Sequence, residues 1–275
     1  MNQNSENHLN GFLILDKPPG MTSHDCCQRV KEILKAKKAG HAGTLDINVT
    51  GVLIIAINEA CKLMPLLSRL DKTYEGKAKL HKEVSLKKLK KAVKKFLGVI
   101  KQIPPRRSRV LRVERERRIY EFEILEKQKK DFIFLVKCEA GTYIRKLIHD
   151  LGKELGGAHL TALRRTQQGP YKITEAITLE QVEQKKENSL IEMEKMIERL
   201  NLPKIIVDKK SFEKLKQGKF LKAKEFKKQG VFEKEQILPC FYNKKIVALV
   251  KPFFSSQEIE KQKDYVLKPE RIIKI

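Results

Sequence analysis

A single acidic side chain, Asp46, stands in the segment HAGTLDINVTGVL, residues 41–53, of a strongly basic chain. Gly43 permits a tight turn just before it, and the apolar strand that follows would hold the carboxylate in a fixed place. A fixed, ionised carboxylate can act as a nucleophile or remove a proton. The alternative is that Asp46 only closes an Asx turn, which is the ordinary use of such a residue.

A second segment, CEAGTYIRKLIHDLGKEL at residues 138–155, predicts a helix that carries a basic pair. Thr142 can cap this helix, and apolar residues at helical spacing form one buried stripe. The stripe consists of Ile144, Leu147, Ile148, Leu151 and Leu155. It leaves Arg145 and His149 together on a neighbouring face, where an Arg in the first turn of a rigid helix can be aimed at an anion. The alternative is an Arg that only faces solvent.

The elements that position Asp46 are predicted from the pattern around it. GFLILDKPPG, residues 11–20, predicts a short strand and a turn, after which Thr22 or Ser23 can cap a helix through about Lys38. GVLIIAI, residues 51–57, predicts a buried strand of β-branched residues. A short helix then leads into a strand around Tyr74.

The middle of the chain predicts a lysine-rich helix and a hairpin. In SLKKLKKAVKKFLG one helical face is apolar and the other is a lysine stripe. The predicted apolar face consists of Leu86, Leu89, Val93, Phe96 and Leu97. RIYEFEILE and DFIFLVKCEA are strand-like and are joined by the polar KQKK, which indicates a hairpin. Because helices and strands mix without βαβ regularity, we expect an α+β fold with a mixed, mostly antiparallel sheet.

The pattern changes near residue 200. LEQVEQKKENSLIEMEKMIERLN, residues 179–201, is charged and helical, and Pro203 opens a series of short β-rich pieces typical of a small barrel or sandwich. We therefore predict two domains, residues 11–200 and 201–275. Two interpretations of the lysine-rich tail stay open: it binds RNA, or it packs against the first domain and stabilises it.

The composition favours a polyanionic partner. The 275 residues hold 59 Lys and Arg against 34 Asp and Glu, a formal charge of +25, and such an excess attracts nucleic acid. Residues 71–130 alone hold 21 Lys and Arg against 8 acids, which indicates an RNA backbone there. The five cysteines have no zinc-type spacing, and no signal peptide or long apolar segment is present. We expect a cytoplasmic protein with reduced thiols, no metal and no membrane contact.

Three segments, KAGHAGTLDINVTGVLIIAINEACKL, CEAGTYIRKLIHDLG and LRRTQQGPY, resemble the TruB family of pseudouridine synthases. KPPGMTSHD and QIPPRRS are more similar to the archaeal and eukaryotic, dyskerin-like branch than to the bacterial enzymes. The resemblance covers about residues 11–175, and the tail from LPKIIVD onward is similar to a PUA domain. It implies the pseudouridine synthase fold followed by a small β-rich PUA-like domain.

The resemblance also assigns roles to residues. It implies that Asp46 is the catalytic carboxylate, that Arg145 pairs with it, and that Tyr74 stacks on the flipped base. His41 corresponds to the residue inserted at the flipped position. The resemblance also implies that Leu163 is the apolar residue of the pocket and that Lys17 is a buried lysine that supports the turn carrying Asp46. Isomerisation of uridine involves no redox change, so no cofactor and no metal are implied.

Three functions follow. The first is a stand-alone enzyme that makes pseudouridine at position 55 in the T loop of tRNA. The second is the catalytic subunit of an H/ACA guide ribonucleoprotein that modifies rRNA, with a guide RNA and small accessory proteins as partners. The third is a non-catalytic RNA-binding or ribosome-assembly protein, which the joint presence of Asp46, Tyr74 and Arg145 disfavours.

Overall fold

The computed structural model describes residues 9–104 and 111–274, and within them fifteen β-strands form two sheets. The strands of the first sheet are β1 (Gly11–Lys17), β2 (Ala39–His41), β3 (Thr50–Ile57), β4 (Lys72–Leu80), β5 (Gly98–Gln102), β6 (Arg115–Gln128), β7 (Asp131–Cys138), β8 (Ala158–Gln168) and β9 (Tyr171–Lys172). Those of the second are β10 (Lys204–Val207), β11 (Leu221–Lys222), β12 (Phe226–Gln229), β13 (Leu238–Tyr242), β14 (Lys245–Pro252) and β15 (Tyr265–Ile272).

Seven α-helices lie in the described residues. They are α1 (Ser23–Ile33), α2 (Met64–Ser68), α3 (Leu86–Lys94), α4 (Ile144–Leu155), α5 (Leu179–Lys185), α6 (Met193–Glu198) and α7 (Lys209–Lys216). Helices α3 and α4 pack their apolar faces into one core with β4, β6 and β7, whereas α1 and α5 cover a separate core on β1 and β3. The expected α+β fold is confirmed.

The order of strands in the first sheet is β1-β3-β8-β4-β7-β6-β5, with β2 paired to β3 and β9 to β8. Every pairing is antiparallel except the short one between β3 and β8. At that junction Gly51 has φ +101°, and a Cβ there would lie 2.2 Å from the carbonyl oxygen of Arg165. Only glycine fits. This close approach brings the start of β3, and with it the Asp46 loop, against β8.

Local predictions succeed along much of the first sheet. The hairpin of β6 and β7 and the buried stripe of α4 are confirmed. Helix α1 is capped by the Thr22 hydroxyl but ends at Ile33 rather than near Lys38, since Lys35 adopts φ +50° and turns the chain into β2. The QIPPRRS segment extends into residues 105–110, which lie outside the described residues.

Two local predictions are wrong. Thr142 does not cap α4, because its hydroxyl donates to the carbonyl of Glu139 and Tyr143 occupies the N-cap without a side-chain bond. Leu86 and Leu97 are exposed, because they lie at the two ends of the lysine-rich helix, and only Leu89, Ala92 and Val93 are buried on α3.

The predictions for the C-terminal third of the chain are confirmed, with added detail. Residues 179–201 are helical, as two short α-helices, because Ile191 leaves the helical path to bond the backbone of Phe12. The tail is β-rich and also contains α7, which Asp208 caps by accepting from the amide of Ser211.

The second sheet, in the order β11-β15-β14-β13-β10-β12, packs against the first part of the chain. Phe241 and Ile246 share one apolar core with Phe12 and Met196. Lys62 donates to the carbonyl of Ile272 at 2.7 Å, which ties the last strand to the segment after β3. Packing of the tail against the first part is therefore present, whatever the tail binds.

Candidate active site

Asp46 lies on a loop between β2 and β3, and the residue before it is anchored from helix α1. The amide of Leu45 donates to the hydroxyl of Ser23 at 2.8 Å, and that hydroxyl donates to the Leu45 carbonyl at 3.2 Å. Leu45 itself is buried in the core beneath α4. The amide of Val49 closes the turn by donating to the Asp46 carbonyl at 3.0 Å. The backbone of the loop is thus fixed on both sides while the Asp46 carboxylate faces solvent.

Lys17, at the end of β1, supports the same loop from inside. Its side chain is fully buried, and Nζ donates to the carbonyls of Pro18, Ile47 and Val49 at 2.9, 3.0 and 2.9 Å. Burial lowers the pKa of the Lys17 ammonium, and the nearby negative charges, Asp46 among them, oppose that shift. A buried ammonium with three carbonyl partners holds the segment just after Asp46 in one conformation.

Arg145 reaches Asp46 from the first turn of α4. Its Nη2 atom lies 2.9 Å from Oδ2 of Asp46, and both side chains are more than half exposed, at 67% and 58%. The start of the helix is fixed by the buried Gln102, whose amide accepts from the amide of Tyr143 at 3.0 Å and donates to the Tyr143 carbonyl at 3.2 Å. Arg145 is therefore aimed by a clamped helix end rather than by its own burial.

Tyr74, on β4, is buried and lies opposite Arg165 on β8. Burial raises the pKa of the Tyr74 hydroxyl, while the positive charge of Arg165 and its hydrogen bond to the tyrosine oppose the shift; the charge of Asp46 adds to the rise. Asp46 thus acts electrostatically on both Lys17 and Tyr74. The structure brings together Asp46, Arg145, Tyr74 and Lys17.

Arg165 is the largest buried polar side chain of the described residues and was not predicted from the sequence. Its Nε donates to the carbonyl of Val52 at 2.7 Å and its Nη2 to that of Gly43 at 3.0 Å. Gln168 acts similarly by donating to the carbonyl of Ala42 at 2.7 Å. Both residues belong to the LRRTQQGPY segment. The signal in the sequence was therefore two polar side chains on one strand, and the fold buries both of them.

His41 and Leu163 occupy the flanks of this arrangement. His41, on β2, has its Nδ1 buried without a hydrogen-bond partner, and burial, together with the charges of Arg165 and His24, lowers its pKa. Leu163, on β8, lies opposite Gly76 and packs against the core that contains Tyr74. The charge of Arg165 acts on His41. Leu163 lies two residues before Arg165 on β8. Neither His41 nor Leu163 contacts Asp46 directly among the described contacts.

Within the described residues no cluster of His, Cys, Asp and Glu has the arrangement of a metal site, and no helix is long and apolar enough to cross a membrane. All five cysteines are buried and unpaired. Chemically, the arrangement offers a solvent-facing carboxylate paired with a guanidinium, next to a buried aromatic ring. A charge-assisted bond orients such a carboxylate for attack or proton removal.

The sequence matches two family models. Residues 31–86 match the model described as "TruB family pseudouridylate synthase (N terminal domain)", and residues 145–204 match "tRNA pseudouridylate synthase B C-terminal domain". These ranges contain Asp46, Tyr74, Arg145 and Leu163.

Full-length relatives agree with these matches. The chain is 34% identical to "Probable tRNA pseudouridine synthase B" of Sulfurisphaera tokodaii, over 96% of this chain and 82% of that protein. It is 37% identical to the protein of the same name in Pyrococcus furiosus, over 95% and 82%. The match to the Methanopyrus kandleri protein is higher, at 48%, but spans 63% of this chain and 52% of the relative.

Solved structures show the same fold. The chain matches one from "Crystal Structure of a Cbf5-Nop10-Gar1 Complex" with a TM-score of 0.86 and 37% identity, over 98% of this chain and 87% of that one. It matches one from "Structure of H/ACA RNP bound to a substrate RNA containing 2'-deoxyuridine" with a TM-score of 0.85 and 34% identity, over 99% and 88%. The second sheet is consistent with a PUA-like domain. With family models, relatives and fold in agreement, the chain belongs to the TruB family of pseudouridine synthases.

Proposed function

We propose that this protein isomerises uridine to pseudouridine in RNA, at position 55 in the T loop of tRNA, with Asp46 as the catalytic carboxylate. The observation that carries the proposal is the ion pair of Asp46 and Arg145, 2.9 Å long and open to solvent, beside the buried Tyr74. The pair joins a loop whose backbone is held by Ser23 and Lys17 to the start of α4, which Gln102 fixes, so both charged groups are presented to solvent on rigid backbone.

The chemistry breaks the bond from ribose C1′ to N1 of uracil and forms a bond from C1′ to C5. The electron pair of the broken bond goes to the uracil ring; after the ring turns, C5 bonds C1′, C5 loses its proton and N1 gains one. Asp46 starts the reaction either by attack on C1′, in which case the Asp46–C1′ bond breaks as C5 bonds C1′, or by removal of a ribose proton, which returns to the ribose as the C1′–C5 bond forms. No oxidant, reductant or energy donor enters the balance.

The neighbouring residues supply position and stacking. Arg145 directs the Asp46 carboxylate at the ribose through a charge-assisted bond. The Tyr74 ring stacks on the flipped base, Leu163 lines the apolar pocket, and His41 occupies the space that the base leaves. Lys17 and the Ser23 hydroxyl keep the Asp46 loop rigid, so that little reorganisation is needed when RNA binds.

The choice of tRNA rests on the relatives, which are named tRNA pseudouridine synthase B. We assign catalysis to residues 11–200 and an RNA-binding, PUA-like role to residues 201–275. The formal charge of +25 supports an RNA partner for both parts. We also assign the protein to the cytoplasm, since five unpaired thiols suit a reducing compartment.

A second candidate is the catalytic subunit of an H/ACA guide ribonucleoprotein. It is favoured by the near-complete match to chains solved in a Cbf5-Nop10-Gar1 complex and in an H/ACA RNP bound to substrate RNA. The chemistry would be the same, with a guide RNA and small accessory proteins selecting an rRNA uridine. A non-catalytic RNA-binding role is the weakest candidate, because it gives the exposed Asp46–Arg145 pair no purpose.

The deciding experiment incubates the purified protein with an unmodified tRNA transcript and maps pseudouridine, with Asp46→Asn as the matched control. Pseudouridine at position 55 with the wild-type protein alone supports the first candidate. Product that forms only after addition of a guide RNA and accessory proteins supports the second. Binding without product under both conditions would overturn the proposal.

A further inference from the structure

The most concentrated charge of the first part of the chain lies on α3, away from the catalytic loop. Between residues 82 and 95 the sequence holds seven lysines and one acid, Glu83. Six of those lysines have no carboxylate partner in the structure as described: Lys82 just before the helix, and Lys87, Lys88, Lys90, Lys91 and Lys94 on it. By contrast, helices α1, α6 and α7 each pair at least one basic side chain with a glutamate.

The unpaired lysines of α3 lower the stability of the protein when no polyanion is bound. Lysines three or four residues apart, such as Lys87 with Lys91 and Lys90 with Lys94, are neighbours on the helix surface and repel each other by about 0.2–0.5 kcal/mol a pair. Only Leu89, Ala92 and Val93 bury apolar area for the helix. A solvated surface helix needs some charge for solubility, but it gains nothing from charges of one sign at this density. A polyanion placed over the helix would turn the repulsion into attraction.

The lysine helix is connected to the active site through α4. Lys95 pairs with Glu154, near the end of α4, at 2.7 Å. Lys88 and Lys91 precede Lys95 by seven and four residues, so they share the flank that faces α4.

Helix α4 carries exposed basic side chains toward Asp46. Arg145, His149 and Lys153 recur every four residues, all of them more than 60% exposed. Arg145 pairs with Asp46, and Lys146 and Lys153 both pair with Asp150. Exposed basic side chains therefore extend from the Asp46–Arg145 pair to α3, over the length of α4, about 18 Å.

We propose that the exposed faces of α4 and α3 form one RNA-contacting track, defined by Arg145, His149, Lys153, Lys91, Lys88, Lys87 and Lys90, that holds phosphates of the substrate RNA well beyond the target uridine. This inference rests on the proposed function for the position of the uridine at Asp46. If the track binds RNA, the enzyme contacts more of the RNA than the loop that it modifies. A substrate that ends close to the target uridine never reaches α3.

The test replaces Lys87, Lys88, Lys90 and Lys91 together by Gln, which keeps helix propensity and removes four charges. The matched control replaces Lys31, Lys35, Lys185 and Lys186 by Gln; these belong to α1, α5 and the residues just after them, around another core. Two labelled probes are used: a full-length unmodified tRNA transcript, and a hairpin whose stem ends about 10 Å, or three base pairs, from the target loop.

For full-length tRNA we expect the α3 variant to bind at least about tenfold more weakly at 0.1 M salt, and the slope of log affinity against log salt to fall by about 2 to 4. The control variant should stay close to the wild type. For the short hairpin, all three proteins should bind alike, and turnover at saturating tRNA should change less than about twofold. Melting temperatures equal to or above that of the wild type would show that the α3 variant is folded.

Equal affinity and equal salt slope for the wild type and the α3 variant on full-length tRNA would overturn the track, as would an equal loss in the control variant or on the short hairpin. An acidic protein bound at α3, with RNA affinity unchanged, would overturn it too. Failure of the proposed function is a different result, because it is absence of pseudouridine in the wild-type reaction. The binding difference between the α3 and control variants does not depend on turnover.

Discussion

The two sheets differ in what their interiors contain. In the first part of the chain the structure buries Lys17, Ser23, Lys72, Gln102, Arg165 and Gln168, whereas in the second part it buries only two serines among polar residues, Ser211 and Ser256. Burial of charged groups is expensive, and it is tolerated only where each group finds partners. In the first part these partners are main-chain carbonyls and amides of loops and turns.

The difference shows how each region uses its interior. Five of the six buried polar side chains of the first part bond the loops around residues 42–49 or the start of α4. Polar burial there fixes the backbone on which Asp46 and Arg145 stand. The second sheet has an apolar interior, which contributes stability, and it joins the first part through a shared apolar core. Substitutions in the two parts should therefore affect turnover and stability differently.

Asp46→Asn should abolish turnover, by about 10⁴-fold or more, since it removes the carboxylate that the proposed chemistry needs for attack or proton removal and keeps the shape. RNA affinity should stay within a few-fold and the melting temperature should not fall, because the side chain is exposed. Product assays, filter binding and thermal melts measure the three quantities. Turnover near the wild-type rate would remove Asp46 from the chemistry.

Arg145→Lys should lower the rate by about 10²-fold, because a Lys keeps the charge but loses the planar fork that orients the carboxylate. The fold should be unaffected, since the start of α4 is held by Gln102 rather than by Arg145. Single-turnover rates compared with an unchanged melt would support this. The matched control is Lys153→Gln, on the same face of α4 and two turns away, for which no loss of rate at saturating RNA is expected.

Lys17→Met should lower turnover by about tenfold to 10²-fold, because the Asp46 loop loses the three bonds that hold it. It should also lower the free energy of unfolding by about 1–3 kcal/mol, the cost of leaving buried carbonyls without a donor. Stopped-time assays and urea titrations give both values. A loss of stability with a normal rate would mean that the loop keeps its position without Lys17.

Ile246→Ala should leave turnover at saturating RNA unchanged and lower the free energy of unfolding by about 2–5 kcal/mol. Ile246 lies in the core shared with the first part, and its neighbour on β14, Val247, lies in the core of the second sheet alone. Val247→Ala is therefore the matched control. If the two parts unfold together, both variants lower one common transition. Two separate transitions, with the first part unaffected by Ile246→Ala, would show that the shared core contributes little.

The buried Lys72 predicts a pH dependence of stability. Burial, reinforced by the positive charge of Arg165, lowers its pKa from an ordinary value of 10.5 to about 8. Since the unfolded chain binds this proton more tightly, the free energy of unfolding should rise as pH increases from about 8 to 10.5, by at most about 3 kcal/mol. Below pH 8 the ammonium is charged in both states and the penalty is present in full.

Lys72→Met should remove most of that rise, which urea titrations between about pH 8 and pH 10 would detect as a difference from the wild type. Lys17, whose pKa is also lowered, contributes equally to both proteins and cancels in the comparison. Parallel stability curves for the two proteins would show that Lys72 keeps its ordinary pKa in the folded state.

Features that repeat along the chain were predictable because they depend on local spacing. The buried stripe of α4 follows from a period of 3.6 and the hairpin of β6 and β7 from strand-like segments joined by a polar turn, whereas the strands at residues 11–17 and 50–57 follow from continuous apolar runs. The family resemblance pointed to Asp46 and Arg145, and the roles of the named site residues remain predictions until variants are measured. Helix ends were less predictable, as the early end of α1 and the N-cap of α4 show.

The sequence by itself determined the α+β class, the motifs that carry the family and the excess of positive charge, since each of these is a property of residue types and near neighbours. Only the tertiary structure decided that Arg145 and Asp46 meet at 2.9 Å and that Arg165 is buried beneath them. The partners of Arg165 are carbonyls 113 and 122 residues away in the chain. The local sequence around Arg165 would be the same if its side chain faced solvent. Its burial depends on the long-range pairing of β3 with β8, which brings the two carbonyls to it.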